Sequence, residues 1–364
     1  MNSNKTSTNL KVDLDNIDSS FFVQGIFGLI DKKKAFEIIK YNKKLQNKCN
    51  ISLKDYKEYS RYLLYDSPIE IEIIHRYRLN CYFIKISAWD WNNIHIYFDD
   101  RKEEIKRCYF TNEDVDVNKI KVIIDPKITM LDSLFSGCSG IESISFKKFS
   151  RINIVDMSYM FFRCESLKKI DFSHFKTDKV ENMSCMFSQC KSLEKLDLSN
   201  FNTDNVERMD SMFDTCKSLE KLDLSNFNTN NVNQMQGMFS CCFSLKELSL
   251  SSFNTNNVLF MKDMFFNCSS LKDLNLSNFK TNKVINMYSM FSGCKSLIKL
   301  DISNFNVYKV ENFGGMFFNC SSLKELKLPS FDINIQKVKI DGMFNGCSEE
   351  LKNKIKEIYP NLIA

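Results

Sequence analysis

Cysteine recurs in this chain at Cys138, Cys164, Cys190, Cys216, Cys242, Cys268, Cys294 and Cys320, a constant step of 26 residues. Cys347 follows one residue late, which places a single insertion between Phe331 and Ile340. Leucine, phenylalanine, threonine, valine and methionine keep the same register. The unit opened by Cys190 runs Leu193, Leu196, Leu198, Phe201, Thr203, Val206, Met209, Met212, Phe213 and Cys216, and the next repeats it from Leu219 to Cys242. A fixed period of this length means stacked supersecondary units, because one such unit encloses no core of its own.

The spacing inside the frame predicts local structure. L-x-L is period two and puts both leucines on one side of a short strand. V-x2-M-x2-M-F steps by three and suits a 3₁₀ or short α-helical return. The first unit is degenerate, with Ile141, Ile144 and Phe146 for leucines, Leu131 and Leu134 for methionines, and Arg151 where threonine recurs. The repeats account for 14 of the 16 methionines and nine of the 14 cysteines, so an unusual composition becomes a statement about packing.

The units CKSLEKLDLSNFNTDNVERMDSMFDTC and CKSLEKLDLSNFNTNNVNQMQGMFSCC resemble the BspA-like leucine-rich-repeat family, in its 26-residue variety ending M-F-x2-C. The resemblance covers about 127–347 and implies a binding protein with no catalytic residues. Bacterial members are often surface or adhesion proteins. The expected class is α/β: a leucine-rich-repeat solenoid with a parallel β-sheet face and short 3₁₀ or α returns, preceded by an α-helical segment and a small β-rich cap.

The expected divisions are a disordered tail over 1–19, a helical segment over 20–66, a β-rich cap over 67–126, the repeats over 127–347 and a capping helix over 348–364. Ile26, Ile30, Ala35, Ile38, Ile39 and Leu45 give the helical stripe. The runs IEIEII, CYFIKIS, NIHIYF and KIKVIID read as strands, with Trp89 and Trp91 packed on them. Ser348 is an N-cap with acidic residues following it, and the helix ends before Pro360.

The helical segment also loosely resembles an F-box, which implies a ubiquitin-ligase substrate receptor with an adaptor protein held at 20–66. Its Lys32–Arg61 stretch carries ten Lys or Arg against Glu37, Asp55 and Glu58. The whole chain is only +5 at pH 7, which argues against a nucleic-acid partner. No run approaches the roughly 20 apolar residues of a membrane span. No basic leader opens the chain, so a cytoplasmic protein is expected, with the cell surface by a leaderless route as the alternative.

Chemistry finds few candidates. There are three histidines, His75, His95 and His174, ten glycines, and no Walker, dinucleotide, G-x-S-x-G or H-E-x-x-H motif. No enzyme, cofactor or metal site is expected, and the cysteine ladder reads as buried thiols. Function is expected on the strand face. Between the second and third leucines stand Asp171, Asp197, Asp223 and Asp301, beside Lys169, Lys195, Lys221 and Lys299. These eight residues are the candidate contact set for a protein partner. The serine and threonine ladders (Ser173 and Thr177 and their equivalents) read as turn residues that satisfy backbone groups.

Overall fold

The structure, a computed structural model, describes residues 38–39, 41–50 and 67–362, apart from 77–78, 88–89, 151–152 and 332–337, together with Ser20, Gln24, Lys54 and Lys57. The chain divides into two compact units, Met1–Asp66 and Ser67–Ala364. In the first, α1 (Lys43–Lys48) begins at Asn42, whose side-chain oxygen accepts from the N–H groups of Lys44 and Leu45. Ile39 and Leu45 are buried there. Ile26, Ile30 and Ala35 of the expected helical stripe lie outside the described residues, as do most of the segment read as an F-box and the tail over 1–19.

The second unit opens with β1 (Ile69–His75), β2 (Ile94–Phe98) and β3 (Lys119–Ile124), antiparallel in the order β2-β3-β1. Alternation fixes the register: Ile69, Ile71 and Ile73 face the core while Glu70 and Glu72 face out. The other edge of β1 pairs antiparallel with β4 (Ile141–Lys148), which pairs parallel with β5 (Lys169–Asp171). The first repeat strand therefore presents no open edge, because β1 covers it. Of the runs expected as strands, CYFIKIS forms none; it makes one bridge, Tyr82 to Tyr109, and buries Phe83 and Ile84. Trp91 opens a 3₁₀ turn and is half-buried, and Trp89 lies outside the described residues.

The repeated frame is the core. From Leu193 to Cys216 every frame position is buried except Leu196, which is half-buried. Phe135, Phe161, Phe187, Phe213, Phe239, Phe265, Phe291, Phe317 and Phe344 form one column, with successive ring centroids 5.4–5.8 Å apart and planes within 13°. Each such ring is worth roughly 1.5–3 kcal/mol on burial, so one side chain per unit recurs as a large stabilising term. The cysteine of each unit lies beside this column. Its S–H donates to the carbonyl of the phenylalanine one unit back, at 3.1 Å from Cys190 to Phe161 and 3.2 Å from Cys216 to Phe187. All fourteen cysteines are free thiols.

The expected 3₁₀ or α returns are corrected: the segments from methionine to cysteine are stacked turns. In one unit the N–H groups of Met160, Phe162 and Cys164 turn back to Met157, Tyr159 and Phe161. Those of Met157, Tyr159, Phe161 and Arg163 instead donate to Asn182, Ser184, Met186 and Ser188 of the next unit. A helix would use all these N–H groups internally and leave none for the neighbour. The alternation requires left-handed residues, and Tyr159 and Arg163, at φ 57° and 60°, supply them without glycine. Parallel bridges then run unbroken from Met130 through Asp156 and each successive unit to Lys339.

The expected single parallel face is also corrected. The L-x-L segments pair only as β4-β5, as β6 (Lys221–Asp223) with β7 (Glu247–Ser249), and as β8 (Lys299–Asp301) with β9 (Glu325–Lys327). Lys195–Asp197 and Asp273–Asn275 form no strand. Unit-to-unit cohesion thus lies mainly in the returns and their side chains, and the strand side is open between pairs. At the far end α2 (Glu349–Ile358) is capped by Ser348, whose hydroxyl accepts from the Leu351 N–H, and buries Leu351 and Ile355. The Tyr359 hydroxyl donates to Pro329 O at 3.2 Å.

Candidate interaction face

The leucine in the middle of each strand segment points inward, so its two neighbours point out. Lys169 and Asp171 flank Ile170 on β5, Lys221 and Asp223 flank Leu222 on β6, and Lys299 and Asp301 flank Leu300 on β8. Lys195 and Asp197 flank Leu196 in the segment without strand pairing. All eight side chains reach the surface. A groove of about 1260 Å³ brings Lys195, Asp197, Lys221 and Asp223 together with Glu247, over a floor that includes Leu196 and Leu248. Lys299 and Asp301 line a separate groove of about 560 Å³ with Asp273, Glu325 and Lys327. Lys169 and Asp171 line neither.

The carboxylates do more than face solvent. In each of Asp171, Asp197, Asp223 and Asp301 one oxygen accepts from the backbone N–H two residues on, at Ser173, Ser199, Ser225 and Ser303, over 2.9–3.1 Å. Asn275 does the same for Ser277. These are Asx turns that end the strand segment. The bonds favour the charged form, so the carboxyls of Asp171, Asp197 and Asp223 lie below the usual range, chiefly through the serine N–H. Asp301 is lowered to about 2, first by the Ser303 hydroxyl and then by Lys327, whose Nζ is 3.0 Å from its second oxygen. Each carboxylate of the Asp row is thus held by a local N–H donor that favours its charged form.

The lysine row is only partly neutralised. Lys221 Nζ lies 2.6 Å from Glu247 Oε1, whereas Lys169, Lys195 and Lys299 take part in no ion pair among the described residues. The middle of the larger groove therefore alternates positive and negative groups over a half-buried leucine floor. Sequence reasoning missed one set of residues behind this face. The side-chain amides of Asn226, Asn278 and Asn304 each donate to carbonyls of the preceding unit, Asn226 to Leu198 O at 3.1 Å and Phe201 O at 3.2 Å. Their 26-residue recurrence was a usable signal. The threonines behave as read: Thr203 Oγ1 donates to Asn228 O and accepts from Asn228 N–H.

Burial raises the thiols of the cysteine ladder, so that Cys190 keeps its proton at physiological pH. No group of three or more His, Cys, Asp or Glu is arranged to hold a metal ion among the described residues. Among them, too, no helix is long and apolar enough to cross a membrane.

Comparison with known proteins places the repeats. The model of a family described as "Mycoplasma protein of unknown function, DUF285" matches residues 129–248 and 235–358, more than half of the chain. No curated protein matches the chain. Among solved structures, a leucine rich cell surface protein from Faecalibacterium prausnitzii A2-165 is similar over 60% of this chain and 87% of its own, at 13% identity and a TM-score of 0.28.

Proposed function

The chain belongs to the DUF285 family, and we propose that it is a non-enzymatic interaction protein whose repeats form one solenoid and bind a protein partner through the strand face. The observation that carries this reading is the larger groove. There a repeated, largely buried frame holds outward positions that differ from unit to unit, Asp197 and Asp223 giving way to Ser249 and Asn275. A rigid frame with variable outward residues lets recognition change without disturbing packing. Lys195 and Asp197, with no ion pair among the described residues, are the residues left to meet opposite charges on the partner. The free thiols fit a reducing, cytoplasmic setting.

The test is site-specific photo-crosslinking in the source cells. A photoreactive residue at Lys195 or Lys221 is expected to capture a discrete partner, which unlabelled protein competes away. The same residue at Lys283, placed outside the groove, is expected to capture none. Equal capture at all three positions removes the strand face from consideration.

A further inference from the structure

The returns carry a third cavity, apart from the two grooves of the strand face. It measures about 670 Å³, within the roughly 300–1,000 Å³ of ordinary ligand sites. Phe266, Tyr288, Phe318, Asn312, Asn345 and Asp341 line it. Tyr288 and Phe318 are each 41% exposed, while the phenylalanines of the core column next to them are fully buried. Where aromatic rings face solvent in one concavity, a ligand with an apolar face gains by covering them.

The glycines of this region deepen the cavity for a reason the backbone alone does not supply. Gly314 has no positive φ, yet a Cβ there would lie 3.3 Å from the Tyr288 ring and 3.1 Å from Asn312 Oδ1. Its missing side chain lets the ring lie against the main chain. Gly315 and Gly342 are left-handed, but Ser289 and Asp263 hold the same turn position at φ 51° and 57°. Positive φ therefore does not force glycine here, and three glycines on two adjacent units leave the space between the rings open.

The polar groups decide the chemistry. Asn312 uses its carbonyl oxygen on the Gly314 N–H at 2.9 Å, which leaves its amide N–H groups for another acceptor. Asn345 and Asp341 are exposed at the rim. The lining holds one cation, Lys339, and one anion, Asp341, and so carries no net charge to select a phosphate or an acid. A lipid chain would leave these amides unpartnered. A neutral ring with an apolar face and hydroxyls around its edge matches both features.

We infer that this cavity is a carbohydrate subsite, in which a neutral pyranose ring stacks on Phe318 beside Tyr288 and its hydroxyls are held by Asn312, Asn345 and Asp341. Lys262, outside the lining, lies over the Tyr288 ring with Nζ 5.5 Å from its centroid, which leaves Phe318 as the stacking platform. The subsite is independent of the strand-face reading, since the two share no residue.

Saturation-transfer NMR on the full chain tests it. The probes are glucose, galactose, mannose, N-acetylglucosamine and their disaccharides, with adenosine and an unglycosylated peptide alongside. Saturation is expected to reach the ring C–H protons of at least one sugar. Phe318→Ala is expected to weaken that binding about tenfold, the scale of one lost stacking contact, with Phe318→Tyr restoring it. Asp197→Asn with Asp223→Asn on the strand face is expected to leave it unchanged. Thermal melting by circular dichroism checks that each variant folds. No transfer to any sugar, transfer undiminished in folded Phe318→Ala, or a preference for adenosine or the peptide would each overturn the assignment.

Discussion

Thr229 is fully buried, and its hydroxyl serves both backbone groups of one residue in the next unit. Oγ1 donates to Asn254 O at 2.9 Å and accepts from Asn254 N–H at 2.8 Å. Thr229→Val keeps the shape and removes both bonds. Each buried group left unsatisfied costs about 1–3 kcal/mol, so the loss of both bonds is expected to destabilise by about 2–6 kcal/mol. Thr229→Ser retains the hydroxyl and loses one methyl, for about 1 kcal/mol. Urea unfolding followed by circular dichroism measures the difference, with hydrogen exchange at the Asn254 amide as a local readout. The exchange arm matters because unfolding of long repeat arrays need not be two-state. A Thr229→Val protein within about 0.5 kcal/mol of Thr229→Ser, with Asn254 still protected, would refute the assignment, since the hydroxyl would then be doing nothing that a methyl cannot.

Other consequences follow from the same geometry. Iodoacetamide is expected to label the half-exposed Cys81, Cys108 and Cys241 in the native protein and to spare Cys190, Cys216 and Cys294, whose thiols burial pushes upward; mass spectrometry of the peptides reads the pattern. Asp223→Asn is expected to fold like the wild type, because Asn275 already makes the same turn, whereas Asp223→Ala, which has no acceptor for the Ser225 N–H, should lower the melting temperature. Phe213→Ala breaks the ring column between Phe187 and Phe239 and should cost about 3–5 kcal/mol by urea titration. His95 titrates above its usual 6.5, first because Glu104 accepts from Nδ1 and then through Asp125. A raised value means that its contribution is complete below about pH 6 and is lost as pH rises through the folded-state value, so melting temperatures of wild type and His95→Gln should converge towards alkaline pH. Divergence there would contradict the sign.

The buried frame was legible from spacing because the period that repeats a residue also repeats its environment: Cys216, Phe213 and Thr203 sit in the core as their recurrence implies. What spacing could not reveal is how backbone groups are partnered. Steps of three between Met209 and Met212 suit a helix as well as a stack of turns, and the choice rests on left-handed residues such as Ser211 and Thr215, which no local rule singles out. The same limit applied to Asp197 and Asp223. Their outward direction was readable from the L-x-L alternation, but their bonds to Ser199 and Ser225 depend on the turn that follows. Pairing of the strand segments in twos, with Lys195–Asp197 and Asp273–Asn275 left out, is likewise a matter of lateral distance, to which a perfectly periodic sequence is blind.

The most direct test of the interaction face is hydrogen exchange of the chain, free and bound to the partner captured by crosslinking, read by mass spectrometry. Protection is expected over 194–197, 218–223 and 244–251, the segments that line the larger groove. Protection confined to the returns, with these segments exchanging as in the free chain, would contradict it.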